Sequence, residues 1–190
     1  MSENTQNYVN SVRQRLVDKF QTESSDYDQR DRQLVDEEYF VDQFVIEKQR
    51  IKVCDSKIVE ECVQAIDDYL KWRKSIGIND LKVEHFPRAM FDNNYMTIID
   101  TIDSKQSKLI YFRIVAHKKV NGWSDVLFRQ QMFAIEYIRK RFGNRPFRVI
   151  ADVSDLPFGG ADIQMGLKVM PLVMRHFPGK NTIDDLELNH

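Results

Sequence analysis

The stretch from residue 109 to residue 177 limits the fold more than any other part of this 190-residue chain. An apolar strand, an amphipathic helix, a second apolar strand and a helix apolar nearly all round follow one another there. Leu109-Ile110-Tyr111-Phe112-Arg113-Ile114-Val115-Ala116 and Phe147-Arg148-Val149-Ile150-Ala151-Asp152-Val153 are β-rich runs with little alternation, so both faces of the sheet they enter should be covered. Two such strands joined by a helix read as a βαβ unit with parallel strands. The closing segment carries Ile163, Leu167, Val169, Met170, Leu172, Val173, Met174 and Phe177, as expected of a helix buried on several sides. Only the polar, acidic residues 179–190 follow it. The expectation is a deep apolar interior in a sheet layer truncated in its C-terminal half.

Composition bounds the class. With 42% hydrophobic and 30% charged residues the chain fits one soluble globular domain with a helical preface. No run approaches the ~18 consecutive apolar residues of a membrane span. The start, Met1-Ser2-Glu3-Asn4-Thr5-Gln6, has neither the basic nor the apolar region of a signal peptide, so a cytoplasmic protein is expected. Cys54 and Cys62 are the only cysteines and lack the spacing of a disulfide framework or a zinc site, so both are expected in helix packing.

The net charge of −1 is unevenly spread. Residues 23–68 hold fourteen acidic residues against six basic, and residues 105–148 hold eleven basic against two acidic. The densest basic cluster is Arg139, Lys140, Arg141, Arg145 and Arg148. Cations in the last turn of a helix complement its carbonyls, which explains part of it. The functional candidate is contact with an anionic membrane through Arg139, Lys140, Arg141 and Arg145.

Along the chain, Val9, Val12, Leu16 and Phe20 recur at helical spacing and predict an amphipathic helix over 6–22. Residues 23–31 read as a polar connection. A second helix is expected over 36–47 with Phe40, Val41, Phe44 and Val45 inward. A third follows Asp55 as N-cap, with Ile58, Val59, Cys62, Ile66, Tyr69, Leu70 and Arg73 on one broad face and Gly77 as its stop. Residues 85–91 are a short helix or irregular. Residues 95–102 are strand-like, and a turn at 103–107 makes the first two strands an antiparallel pair. A helix opening at Ser124 or Asp125 carries Val126, Leu127, Met132, Phe133, Ile135, Tyr137, Ile138 and Phe142, and Gly143-Asn144-Arg145-Pro146 ends it.

Catalytic patterns are wanting. Phe158-Gly159-Gly160-Ala161-Asp162 matches neither the dinucleotide fingerprint nor the P-loop, and no GxSxG, HExxH or EF-hand sequence occurs. His85, His117, His176 and His190 are scattered singly and read as surface or packing residues. Asp152, closing an apolar strand, is the best acid candidate, but the structural reading is a carboxylate bonding backbone amides in the following loop. The basic stretch lacks a nucleic-acid motif, and the sequence pI is about 6.4.

A helical preface ending in Leu70-Lys71-Trp72-Arg73-Lys74, a strand pair, a crossover helix, Arg148-Val149-Ile150-Ala151-Asp152-Val153-Ser154, an apolar helix and His176-Phe177-Pro178 together resemble the CRAL-TRIO lipid-binding domain. Tyr27-Asp28-Gln29-Arg30-Asp31 with the segment from Trp72 to Leu81 is similar to the branch in which a major sperm protein domain and a membrane anchor follow. Two positions depart from the pattern. Val41-Asp42-Gln43-Phe44-Val45 replaces a Leu-Leu-Arg-Phe-Leu-like segment, and Asp155 stands where glycine is frequent.

The resemblance implies an α/β fold, with a helical N-terminal region at 1–84, a partial CRAL-TRIO domain of about three strands at 85–178 and a polar tail at 179–190. It implies a non-enzymatic lipid-binding or lipid-transfer role without a cofactor, at the cytoplasmic surface of the endoplasmic reticulum. Burying hydrocarbon gains about 0.8 kcal/mol per methylene, so an apolar trough holds a lipid without a catalytic group. Candidate lining residues are Ile99, Phe112, Ile114, Val149, Ala151, Phe158, Met165 and Val169. The alternative of a different class is a protein-interaction or membrane-tethering module that uses the helix of residues 161–177, from Ala161 to Phe177, for self-association or a protein partner. A third reading, an enzyme built on Asp152 and the Lys118-Lys119 pair, lacks a partner base in the sequence.

Overall fold

Ser2 accepts a hydrogen bond from the Thr5 amide at 3.2 Å and so caps the first helix, α1 (Glu3–Thr22). Glu3 in its first turn and Lys19 in its last complement the helix dipole. The computed structural model describes residues 2–92, 96–102, 108–113, 124–143 and 147–152. The chain divides into two compact units, Met1–Asp80 with Ile138–Asn144, and Leu81–Tyr137 with Arg145–His190. Secondary structure is of mixed α/β class, mostly helical with a small sheet.

Unit 1 is helical. After α1 come a 3₁₀ turn Ser24–Asp26, the short helix α2 (Gln29–Arg32), a 3₁₀ turn Gln33–Asp36, α3 (Phe40–Arg50) and α4 (Asp55–Ser75). Helices α1, α3 and α4 pack pairwise on one another. The expected stripes are the core: Val9, Val12, Leu16 and Phe20 from α1, Phe40, Val41, Phe44 and Val45 from α3, and Ile58, Cys62, Ile66, Tyr69 and Leu70 from α4 are buried. Residues three and four apart share a helix face, which is why the spacing converts directly into a packed seam. The Phe40 and Tyr69 rings stack at 6.0 Å, and Phe44 meets Phe40 edge-on at 5.7 Å. Gly77 adopts φ +61°, the left-handed conformation that ends α4.

Three local expectations change. Residues 23–31 are more than a connection, since α2 forms there and buries Asp31. The second long helix begins at Phe40 rather than at Asp36, because Tyr39 takes the left-handed conformation (φ 62°) and interrupts the backbone. Cys54 occupies the N-cap of α4 and Asp55 its first position, so Asp55 acts through its charge on the helix dipole instead of as the cap. Cys54 is exposed and only Cys62 packs inside, where burial pushes its thiol up to about 12.

Unit 2 opens with a 3₁₀ turn Val83–His85 and α5 (Ala89–Asp92). Its sheet has the order β1-β2-β3, from β1 (Met96–Ile102), β2 (Lys108–Arg113) and β3 (Phe147–Asp152). β1 pairs antiparallel with β2, and β2 pairs parallel with β3, as the strand-pair and βαβ expectations require. The long helix α6 (Ser124–Phe142) intervenes between β2 and β3, and Gly143 follows it at φ +76°. Leu127, Met132 and Ile135 of α6 are buried as expected. So are Gln130, Gln131 and Glu136, which widens the buried face beyond the apolar stripe, while Tyr137 is exposed. The turn at 103–107 and the apolar helix at 161–177 lie outside the described residues.

Candidate ligand-binding site

Strand register sorts the expected lining residues onto faces. Met96 stands opposite Phe112 and Ile98 opposite Ile110, while Ile110 pairs with Val149 and Phe112 with Ala151. Paired residues share a face and chain neighbours alternate. One face therefore receives Met96, Ile98, Ile102, Ile110, Phe112, Phe147, Val149 and Ala151, apolar throughout except for Lys108 at the start of β2. The other receives Thr97, Ile99, Leu109, Tyr111, Arg113, Arg148, Ile150 and Asp152. Ile110 on the first face is 1% exposed, whereas Thr97 and Arg113 on the second are exposed, so the two faces are not equally covered.

Of the expected lining residues, Phe112, Val149 and Ala151 fall on the apolar face and Ile99 on the opposite one. The alternation was in the sequence; which residue of β1 met which of β2 was not. Ile114, Phe158, Met165 and Val169 lie outside the described residues. On the mixed face the Tyr111 hydroxyl donates to the Asp152 carboxylate, a contact that pushes the phenol up. Asp152 is thus engaged in a cross-strand hydrogen bond. Lys118 and Lys119 lie outside the described residues.

The basic cluster divides as well. Arg139 is buried, and its Nη1 donates to Glu37 at 2.6 Å within unit 1. A guanidinium held there is part of the fold and is not presented to a membrane, which removes Arg139 from the expected contact set. Lys140 and Arg141 are exposed, and the Arg141 guanidinium lies 5.2 Å from the centroid of the Phe142 ring. Arg145 lies outside the described residues.

Unit 2 also holds a pocket that the sequence did not suggest. It has a volume of about 380 Å³ and is lined, among the described residues, by His85, Phe86, Val126 and Arg129. Phe86 is buried, with its ring 5.4 Å from Phe133 and 6.3 Å from Phe91. Val126 and Arg129 come from the first turns of α6, three residues apart and hence on neighbouring parts of one helix face. At the rim the Lys82 amide donates to His85 Nδ1 at 3.3 Å, which places the proton of the neutral ring on Nε2. Arg129 is exposed and makes no ion pair among the described residues. The available signal was a cation one turn beyond an apolar residue at a helix start, too common a pattern to single out.

Unit 1 contains polar centres of another kind. Arg73 is wholly buried and donates from Nε to Asp31 at 2.9 Å, from Nη1 to the Tyr69 hydroxyl at 3.1 Å and from Nη2 to Asn79 at 3.0 Å. Asn79 in turn donates to Asp31 at 2.7 Å. Burial pushes the Asp31 carboxyl up against the pull of Arg73 and Asn79. A second centre surrounds Asp67, which accepts from Lys19 at 2.6 Å, from Lys71 at 3.3 Å and from the Tyr27 hydroxyl. Burial opposes ionisation of Asp67, but these donors outweigh it and hold the carboxyl below its usual range. Both centres join segments distant in sequence, and at the first the Arg73 and Asn79 bonds both go to Asp31 Oδ1 while Oδ2 stays buried without a hydrogen-bond partner.

Among the described residues no cluster of three or more His, Cys, Asp or Glu is placed to hold a metal ion. No described helix is long and apolar enough to cross a membrane. No protein-family model matches the chain.

Proposed function

We propose that this chain is a non-enzymatic lipid-binding or lipid-transfer domain of CRAL-TRIO type, acting at the cytoplasmic surface of a membrane such as the endoplasmic reticulum. The observation that carries the reading is the sheet register, which gathers eight apolar residues of three strands on one face. A continuous apolar face is what an acyl or isoprenoid chain needs, since each buried methylene contributes about 0.8 kcal/mol without directional bonds. The apolar-floored pocket in the same unit supports it, because small-ligand sites are concave, mostly apolar and fitted with few polar groups. The reading requires no acid, base or nucleophile, and the engagement of Asp152 with Tyr111 agrees with that. Exposed Lys140 and Arg141 supply positive charge for an anionic membrane surface.

Lipid extraction and mass spectrometry on the purified chain, with transfer of a fluorescent lipid between vesicles as a second measurement, test the proposal. A lipid retained through purification, or protein-dependent transfer well above the spontaneous rate, is the expected result. Absence of both sinks it.

A further inference from the structure

The His85–Arg129 pocket allows the ligand class to be narrowed. We propose that it binds a single-chain anionic amphiphile, a carboxylate or phosphate monoester, with the head on the Arg129 guanidinium and His85 Nε2–H and the chain against Phe86 and Val126. The inference rests on the lipid-binding reading for the kind of ligand and adds which one and where.

Size excludes larger candidates. A volume of about 380 Å³ lies at the low end of the ~300–1,000 Å³ range of small-molecule sites. At roughly 30 Å³ for each water-sized group it accepts about a dozen chain atoms, well short of two acyl tails. Charge selects the head. Arg129 is exposed and makes no ion pair among the described residues. His85, which lines the same pocket, adds a donor, and the N-terminal end of the 19-residue α6 favours an anion over a cation. A guanidinium offers a planar fork that matches carboxylate and phosphate oxygens. Phe86 and Val126 take the chain, Phe86 being buried and in ring contact with Phe91 and Phe133.

Titration calorimetry of the full chain with dodecanoate, dodecyl phosphate, dodecyltrimethylammonium and inorganic phosphate, each below its micellar concentration, tests this alongside vesicles containing phosphatidylserine. The two anionic amphiphiles are expected to bind one per chain, the cationic analogue and inorganic phosphate at least tenfold more weakly. Arg129→Gln should lose tenfold or more in affinity for both anions, Arg129→Lys should recover part of it, and Val126→Trp should abolish binding by filling the floor. Thermal melting checks that each variant folds. Equal affinity for the cationic amphiphile, undiminished binding in both Arg129→Gln and Val126→Trp, or binding to vesicles but to neither free amphiphile overturns the proposal. Lipid that co-purifies with wild type and is retained by Arg129→Gln reports on the sheet face, so the two readings fail separately.

Discussion

The two units treat their cations in opposite ways. In unit 1 Arg73 and Lys19 end on buried carboxylates, with Tyr69, Asn79 and Tyr27 taking up further hydrogen bonds. In unit 2 Arg129 meets no carboxylate among the described residues and lines a pocket with Phe86 and Val126. A buried charge must be matched inside the fold, because removing it from water costs several kcal/mol. A charge at a half-open rim keeps its solvent and retains the capacity to recognise an anion. Arg73 thus belongs to a closed polar centre of the scaffold, whereas Arg129 stays exposed at a pocket.

The sharpest way to break this comparison is Arg73→Met. It leaves Asp31 buried without its cation, and a loss of about 3–5 kcal/mol in denaturant-measured stability is expected. The double variant Arg73→Met with Asp31→Leu should recover much of that, since no unpaired charge remains. A single variant as stable as wild type would show that the centre is not closed.

Asp67→Asn should cost less, about 1.5–3 kcal/mol at pH 7, the range of hydrogen bonds to a charged group. Because the folded Asp67 carboxyl is held below its unfolded value of about 3.9, its contribution is present above that pH. It is lost as pH falls through the folded value. Stability measured from pH 6 down to pH 2 should therefore fall more steeply in wild type than in Asp67→Asn, and parallel curves would contradict the assignment.

Glu37→Gln is the smallest effect. Its carboxylate pairs with buried Arg139 but is itself 39% exposed, so a change of under about 1 kcal/mol is expected in thermal melting. A larger loss would place Arg139 with the closed centres around Arg73 and Asp67.

Much of the fold was legible. The helix spacing of Val9, Val12, Leu16 and Phe20, the inward set of α3, the stop at Gly77 and the antiparallel and parallel strand pairs were all available as local pattern, because periodicity and backbone conformation act over a few residues. The candidate site was less legible. The face of Ile99 was not legible because register is a relation between strands, and the burial of Arg139 was not because its partner Glu37 lies 102 positions away. The α3 start moved because a left-handed Tyr39 carries no sequence signature comparable to glycine.

Sequence alone determined the type of each described long element, since hydrophobic spacing commits a segment to a helix stripe or a strand face before any partner is present. Only the tertiary structure decided which charges are spent and which remain. Arg73 finds Asp31 across 42 positions, while Arg129 lines a pocket and meets no carboxylate among the described residues. The reason is physical: apolar burial is non-directional and needs only the right face, whereas a charge is satisfied by one group at one distance, and chain order does not specify that distance.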